Sequence, residues 1–68
     1  MNIRINGETK TIQQGLTLQQ LLVDLKIDPT QPGIAVALDL EVIPRKRWDE
    51  LEIPPTSEVE IIHAVQGG

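Results

Sequence analysis

The stretch Asn2–Leu25, NIRINGETKTIQQGLTLQQLLVDL, decides the fold, because two different periods follow one another within it. In Asn2-Ile3-Arg4-Ile5-Asn6 polar and apolar residues alternate, the period of a half-buried strand. Asn6-Gly7 comes next and is a strong hairpin signal, since both residues tolerate positive φ. A return strand is expected from Glu8 to about Gln13, where Gly15 breaks it. The period then changes. Leu18, Leu21, Leu22 and Leu25 fall at i, i+3, i+4 and i+7, which sets four leucines on one stripe of a helix docked on a core. Thr17 is placed as the N-cap, and Gln20, three residues later, completes a capping box. Leu16 adds an apolar staple ahead of the cap. Pro29 is expected to stop the helix, and Pro32-Gly33 makes the connection rigid.

Working outward, Ile34-Ala35-Val36-Ala37-Leu38 puts large residues on one face of a strand and alanines on the other. Asp39 starts a turn into a strand through Leu40-Glu41-Val42-Ile43, which Pro44 ends. Arg45 to Ser57 is irregular; Pro54-Pro55 cannot occupy a central strand, and Trp48 with Leu51 is expected to fold under as a lid on the core. A final strand is expected from Glu58 to about Val65. The order β-β-α-β-β-loop-β, with the helix on one face of the sheet, is an α+β sandwich of two layers. The arrangement that suits it is the β-grasp, or ubiquitin-like, one: a mixed sheet of about five strands and one main helix, with the last strand beside the first and parallel to it. Residues 1–65 are expected to form this domain and 66–68 a flexible C-terminal Gly-Gly tail.

Composition narrows what such a domain does. Sixty-eight residues make one small domain, and without cysteine no disulfide or thiolate metal site supplements its core. The net charge of −4 argues against nucleic acid, whose binding rests on cationic contacts to phosphate. The one basic run, Arg45-Lys46-Arg47, is followed at once by Asp49, Glu50 and Glu52. No apolar stretch approaches a membrane span or a signal-peptide core, so a cytoplasmic protein is expected. No nucleophile–histidine pair, metal cluster or phosphate-cradling loop can be assembled, and no enzyme activity is expected. The single histidine, His63, alternates onto the face of Val59 and Ile61 and reads as a partly buried structural residue.

The chain ends Ala64-Val65-Gln66-Gly67-Gly68. Two terminal glycines present a carboxylate on a thin stalk with no Cβ to obstruct it. Fully extended, Val65 to Gly68 reach about 13–14 Å, enough to enter a buried site while the body stays outside. The end of the chain is therefore a candidate reacting group.

At this point the chain resembles the ubiquitin-like sulfur carriers, and among them the ThiS-type carriers of thiamine biosynthesis. The resemblance rests on Asn6-Gly7, on Gly15-Leu16-Thr17 before a Leu-Leu helix, and on Val42-Ile43-Pro44-Arg45 with Trp48 three residues later. The terminal Gly67-Gly68 completes it. Two turns depart from the family pattern: Pro54-Pro55-Thr56-Ser57 stands where a Gly-Asp turn is usual, and Asp39-Leu40 where Asn-Gly is often found. The resemblance implies a protein substrate of enzymes. A ThiF-like adenylating enzyme would spend ATP, the carrier itself holding no cofactor, to convert the Gly68 carboxylate into an acyl-adenylate. A cysteine-derived persulfide donor would displace AMP, leaving a thiocarboxylate on Gly68. A ThiG-like thiazole synthase would take the sulfur. Gly67 and Gln66 would thread through the enzymes' active-site channels.

A docking surface is also expected. If Val59 and Ile61 face the helix, Ile62 and Ala64 face the other way, beside Ala35 and Ala37 of a neighbouring strand. Such an apolar patch next to the tail would receive the partners, with Arg45 as a further contact. Two alternatives stay open. The same tail would serve a molybdopterin-synthesis carrier or a protein modifier, and a non-reactive β-grasp interaction domain would not need the tail at all.

Overall fold

Polar–apolar alternation and the Asn6-Gly7 turn build the first hairpin: β1, Asn2–Ile5, pairs antiparallel with β2, Glu8–Thr11. The structure, a computed structural model, describes residues 1–64. Strand β2 ends at Thr11, short of the expected Gln13. Ile12 instead turns its side chain into the core, while its N–H donates to Met1 O at 2.8 Å.

The helix α1, Leu18–Asp24, starts as expected. Thr17 Oγ1 accepts the Gln20 N–H at 3.2 Å, and Gln20 Oε1 accepts the Thr17 N–H at 3.0 Å. A seven-residue helix is too short to persist on its own, so packing has to hold it. Leu18, Leu21 and Leu22 are buried, each contributing about 2 kcal/mol, against about 1 kcal/mol for the cap. Leu25 is the partly buried edge of the stripe. The helix is not stopped by Pro29. It closes earlier, on Lys26 at φ 64, with Ile27 N–H donating to Leu22 O at 2.8 Å and Lys26 N–H to Val23 O at 3.0 Å. This is the Schellman pattern, formed around a lysine where glycine is usual.

Strand β3, Ile34–Leu38, pairs antiparallel with β4, which spans only Glu41–Val42. Ile43, expected within that strand, leaves the edge to bury its side chain, although its N–H still reaches Val36 O at 2.9 Å. Strand β5, Glu58–His63, inserts between β1 (parallel) and β3 (antiparallel). The sheet order is β2-β1-β5-β3-β4, with the C-terminal strand at its centre.

The segment between β4 and β5 forms a short 3-10 turn at Arg45–Arg47 and then the lid. Trp48 is 2% exposed, and its indole N–H donates to Ile43 O at 2.9 Å, which satisfies the one polar group it buries. Leu51 packs against the core from a partly buried position. The lid also caps α1: Leu18 N–H donates to Leu51 O at 3.1 Å and Gln19 N–H to Trp48 O at 2.9 Å. These are two of the four N–H groups that a helix start leaves without intrahelical partners.

Candidate functional site

The expected reacting group, Gly68, and the threading residues Gly67 and Gln66 lie outside the described residues. The structure describes the body that presents them, as far as Ala64. Alternation along β5 turns Val59 and Ile61 inward and leaves Ile62 outward, 56% exposed. Ala35 lies directly opposite Ile62 across the β3–β5 ladder, and Ala37 opposite Glu60. The expected cluster of Ile62, Ala35 and Ala37 is therefore brought together on the sheet face away from α1. Ala64 follows Ile62 by two positions, is exposed, and donates its N–H to Gly33 O at 2.6 Å.

Two apolar residues escaped the sequence reading. Val42 is 70% exposed and lies opposite Ala37, so it carries the patch onto a third strand. The antiparallel alternation of β4 against β3 could have placed it there. Leu40, 84% exposed, stands in the turn at the end of the same hairpin. Glu58 and Glu60 give the outer face its charge, and Arg4 lies beside Glu58 in the parallel register.

Arg45 is engaged by the lid and by the loop before β3. Its guanidinium lies 4.6 Å from the Trp48 ring centroid and donates to the carbonyls of Pro29 and of Gln31, the latter at 2.8 Å. A planar cation over an indole with two carbonyl acceptors is a clamp on the 29–31 loop. Within that loop Asp28 accepts from the Thr30 hydroxyl at 2.7 Å and the Thr30 N–H at 2.9 Å. Those two bonds, the side-chain one first, hold the Asp28 carboxyl below its ordinary range.

His63 is corrected by the structure. It is exposed, not partly buried. Strand β1 ends at Ile5, opposite Val59, so on that side no strand continues far enough to cover His63. Among the described residues no group of three His, Cys, Asp or Glu could hold a metal ion, and no helix is long and apolar enough to cross a membrane.

Five strands in mixed order gripping one helix, the last strand central and parallel to the first, define a ubiquitin-like β-grasp domain. Residues 3–68 match the sequence model of the ThiS family, and the chain belongs to that family. It is similar to the crystal structure of the thiamine biosynthesis protein ThiS from Geobacter metallireducens, at 30% identity and a TM-score of 0.82, with both chains covered in full. The sulfur carrier protein ThiS of Escherichia coli K12 is 26% identical over 68 residues, again end to end. A thiazole synthase of Paramagnetospirillum magneticum is 28% identical over the whole of this chain, which spans 20% of that protein's length.

Proposed function

We propose that this chain is a sulfur carrier of thiamine biosynthesis, with the Gly68 carboxylate as the group that carries the sulfur. The observation that supports this most is the family match, which runs through the terminal Gly67-Gly68 on a β-grasp body. The full-length likeness to a named sulfur carrier adds to it.

The chemistry follows from the carboxylate. An α-carboxyl group is ionised at neutral pH and is a poor acyl donor, because attack on it must expel oxide. A carboxylate oxygen attacks the α-phosphorus of ATP and pyrophosphate leaves, giving an acyl-adenylate. A persulfide sulfur attacks the acyl carbon and AMP leaves. The new bond is the acyl C–S bond; a thiol then attacks the S–S bond that came with the persulfide, leaving the thiocarboxylate and a disulfide. All of these steps belong to partner enzymes, so the chain is a protein substrate with no turnover of its own. The cytoplasm, where ATP and thiols are available, is the compartment we assign.

Thiazole synthase is the proposed acceptor. A protein named thiazole synthase contains a segment similar to the whole of this chain, which supports the pairing. The patch of Ile62, Ala35, Ala37 and Val42, leading to Ala64, is the proposed docking face. Arg45 enters as the clamp of the adjoining loop.

Intact mass after incubation with the adenylating enzyme, ATP and a persulfide source tests the reading. An oxygen-to-sulfur mass increase localised to Gly68 supports it. Modification of an internal residue, or none with a competent enzyme, overturns it. Isopeptide-linked products on a gel would identify a modifier instead. Ile62→Arg tests the docking face separately: a folded variant adenylated and consumed at the native rate removes that assignment.

A further inference from the structure

Strand β5 is paired unevenly along its length. On the β3 side the ladder runs to its end: Asp39 N–H donates to Glu58 O at 2.8 Å, and Ala64 N–H to Gly33 O at 2.6 Å. On the β1 side the backbone rungs include Arg4 N–H to Ser57 O at 3.0 Å and, furthest along, Asn6 N–H to Val59 O at 2.9 Å. There the chain turns away through Asn6-Gly7, and no backbone of β1 remains for Ile61. The Asn6 side chain takes that place. Its Oδ1 accepts the Ile61 N–H at 2.8 Å and its Nδ2 donates to Ile61 O at 3.2 Å. A carboxamide reproduces the donor and acceptor of a peptide group, so the ladder gains one more rung without any further backbone.

Gly33 does the matching work on the other side. Its carbonyl receives the last described N–H, and a Cβ placed there would lie 3.3 Å from Ala64 O and 3.6 Å from Ala64 Cβ. Both residues are left-handed, Asn6 at φ 49 and Gly33 at φ 83. The end of β5 thus rests on two turn residues, one on each flank.

We infer that Asn6 and Gly33 are positioning residues for the carrier's chemistry: together they fix the end of β5, the root to which the C-terminal residues are joined. The inference rests on the carrier reading. An ordered root spares the activating enzyme the entropy of ordering it at each encounter. Freeing one or two residues lowers kcat/KM about tenfold. The loss falls on KM, because the root is already ordered once the complex has formed.

Asn6→Gly is the decisive variant, since glycine accepts the left-handed turn and removes only the two side-chain bonds. The Ile61 amide is expected to exchange faster with deuterium. KM for adenylation, read by ATP–pyrophosphate exchange, rises about tenfold, with kcat within about twofold. Asn6→Asp keeps the acceptor and loses the donor, and shows a smaller rise in KM. Gly33→Ala gives the same KM signature from the opposite flank. Ser57→Ala, at the far end of β5, loses a hydroxyl bond to Pro54 O and leaves KM unchanged. Unchanged Ile61 exchange in both Asn6 variants overturns the inference, as does wild-type KM despite faster exchange. An equal KM rise in Ser57→Ala reduces Asn6 to a purely structural role and overturns it as well. A wild-type chain that is never adenylated removes the carrier reading itself, and this inference with it.

Discussion

The two hairpins of the sheet use the same turn with opposite chemistry. Each turns on two residues and in each both are left-handed: Asn6 at φ 49 with Gly7 at φ 86, and Asp39 at φ 49 with Leu40 at φ 72. Paired positive φ values are the mark of the type I′ turn, whose twist matches that of the strands. Asparagine and glycine adopt it at little cost. A left-handed leucine costs about 1–2 kcal/mol, and Leu40, 84% exposed, recovers none of this by burial. The second turn is held from outside. Asp39 N–H donates to Glu58 O at 2.8 Å, and Asp39 Oδ1 accepts the Glu58 N–H at 2.9 Å. Both turns are bonded to β5, the first through Asn6 and the second through Asp39; they differ in that Asn6-Gly7 suits the left-handed turn and Leu40 does not.

The largest effect is expected at Gly7. A Cβ at that position meets nothing within 4 Å, so Gly7→Ala tests backbone preference alone. It is expected to destabilise the domain by about 2 kcal/mol in urea unfolding. A midpoint unchanged from wild type would show that the bonds of Asn6 to β5, and not the Asn-Gly preference, hold the first turn.

Asp39→Ala comes next. It leaves the Glu58 N–H without its acceptor, with an expected loss of about 1–2 kcal/mol and faster amide exchange at Glu58. An equal loss on truncating Glu8, which flanks the first turn, would erase the distinction between the hairpins.

Leu40→Gly acts in the opposite direction. Relief of the left-handed leucine, less the extra chain entropy of glycine, raises stability by about 0.5–1 kcal/mol, seen as a higher Tm. A lower Tm would mean that Leu40 packs against something that its exposure hides. A higher Tm joined to weaker binding of a partner enzyme would identify the strain as functional.

The smallest effect belongs to the connection between the hairpins. Asp28 is ionised below its ordinary range because Thr30 donates two bonds to it. Its folded pKa is depressed, so its contribution is present above the unfolded value, near pH 4. That contribution is lost as pH falls through the folded value. Asp28→Ala should therefore flatten the acid limb of Tm against pH. Superimposable acid limbs would show that the Thr30 bonds do not persist in solution.

Much of the fold was legible because its signals are local. The Asn6-Gly7 hairpin, the Thr17–Gln20 capping box, the leucine stripe and the Ile34–Leu38 alternation each lie within a few residues, and all four formed. Their order was enough for the β-grasp topology. The outward cluster of Ile62, Ala35 and Ala37 followed from alternation plus that topology. One local feature escaped, the helix end, and the rest was non-local. Lys26 closes the helix before Pro29 can act. The lid's carbonyls cap α1 from about thirty residues away, by the count from Leu18 to Trp48 and Leu51. Val42 joins the patch only because β4 follows β3 at the sheet edge.

By itself the sequence determined the periods, the first turn, the cap and the Gly67-Gly68 pair on which the family resemblance draws. Only the tertiary structure decided that Leu40 is held left-handed, that His63 is uncovered, and that Asn6 is more than a turn residue. The physical reason is distance along the chain. Asn6 bonds to Ile61 across 55 residues, and no period or motif read within a short window reports a partner that only the closed sheet brings into reach.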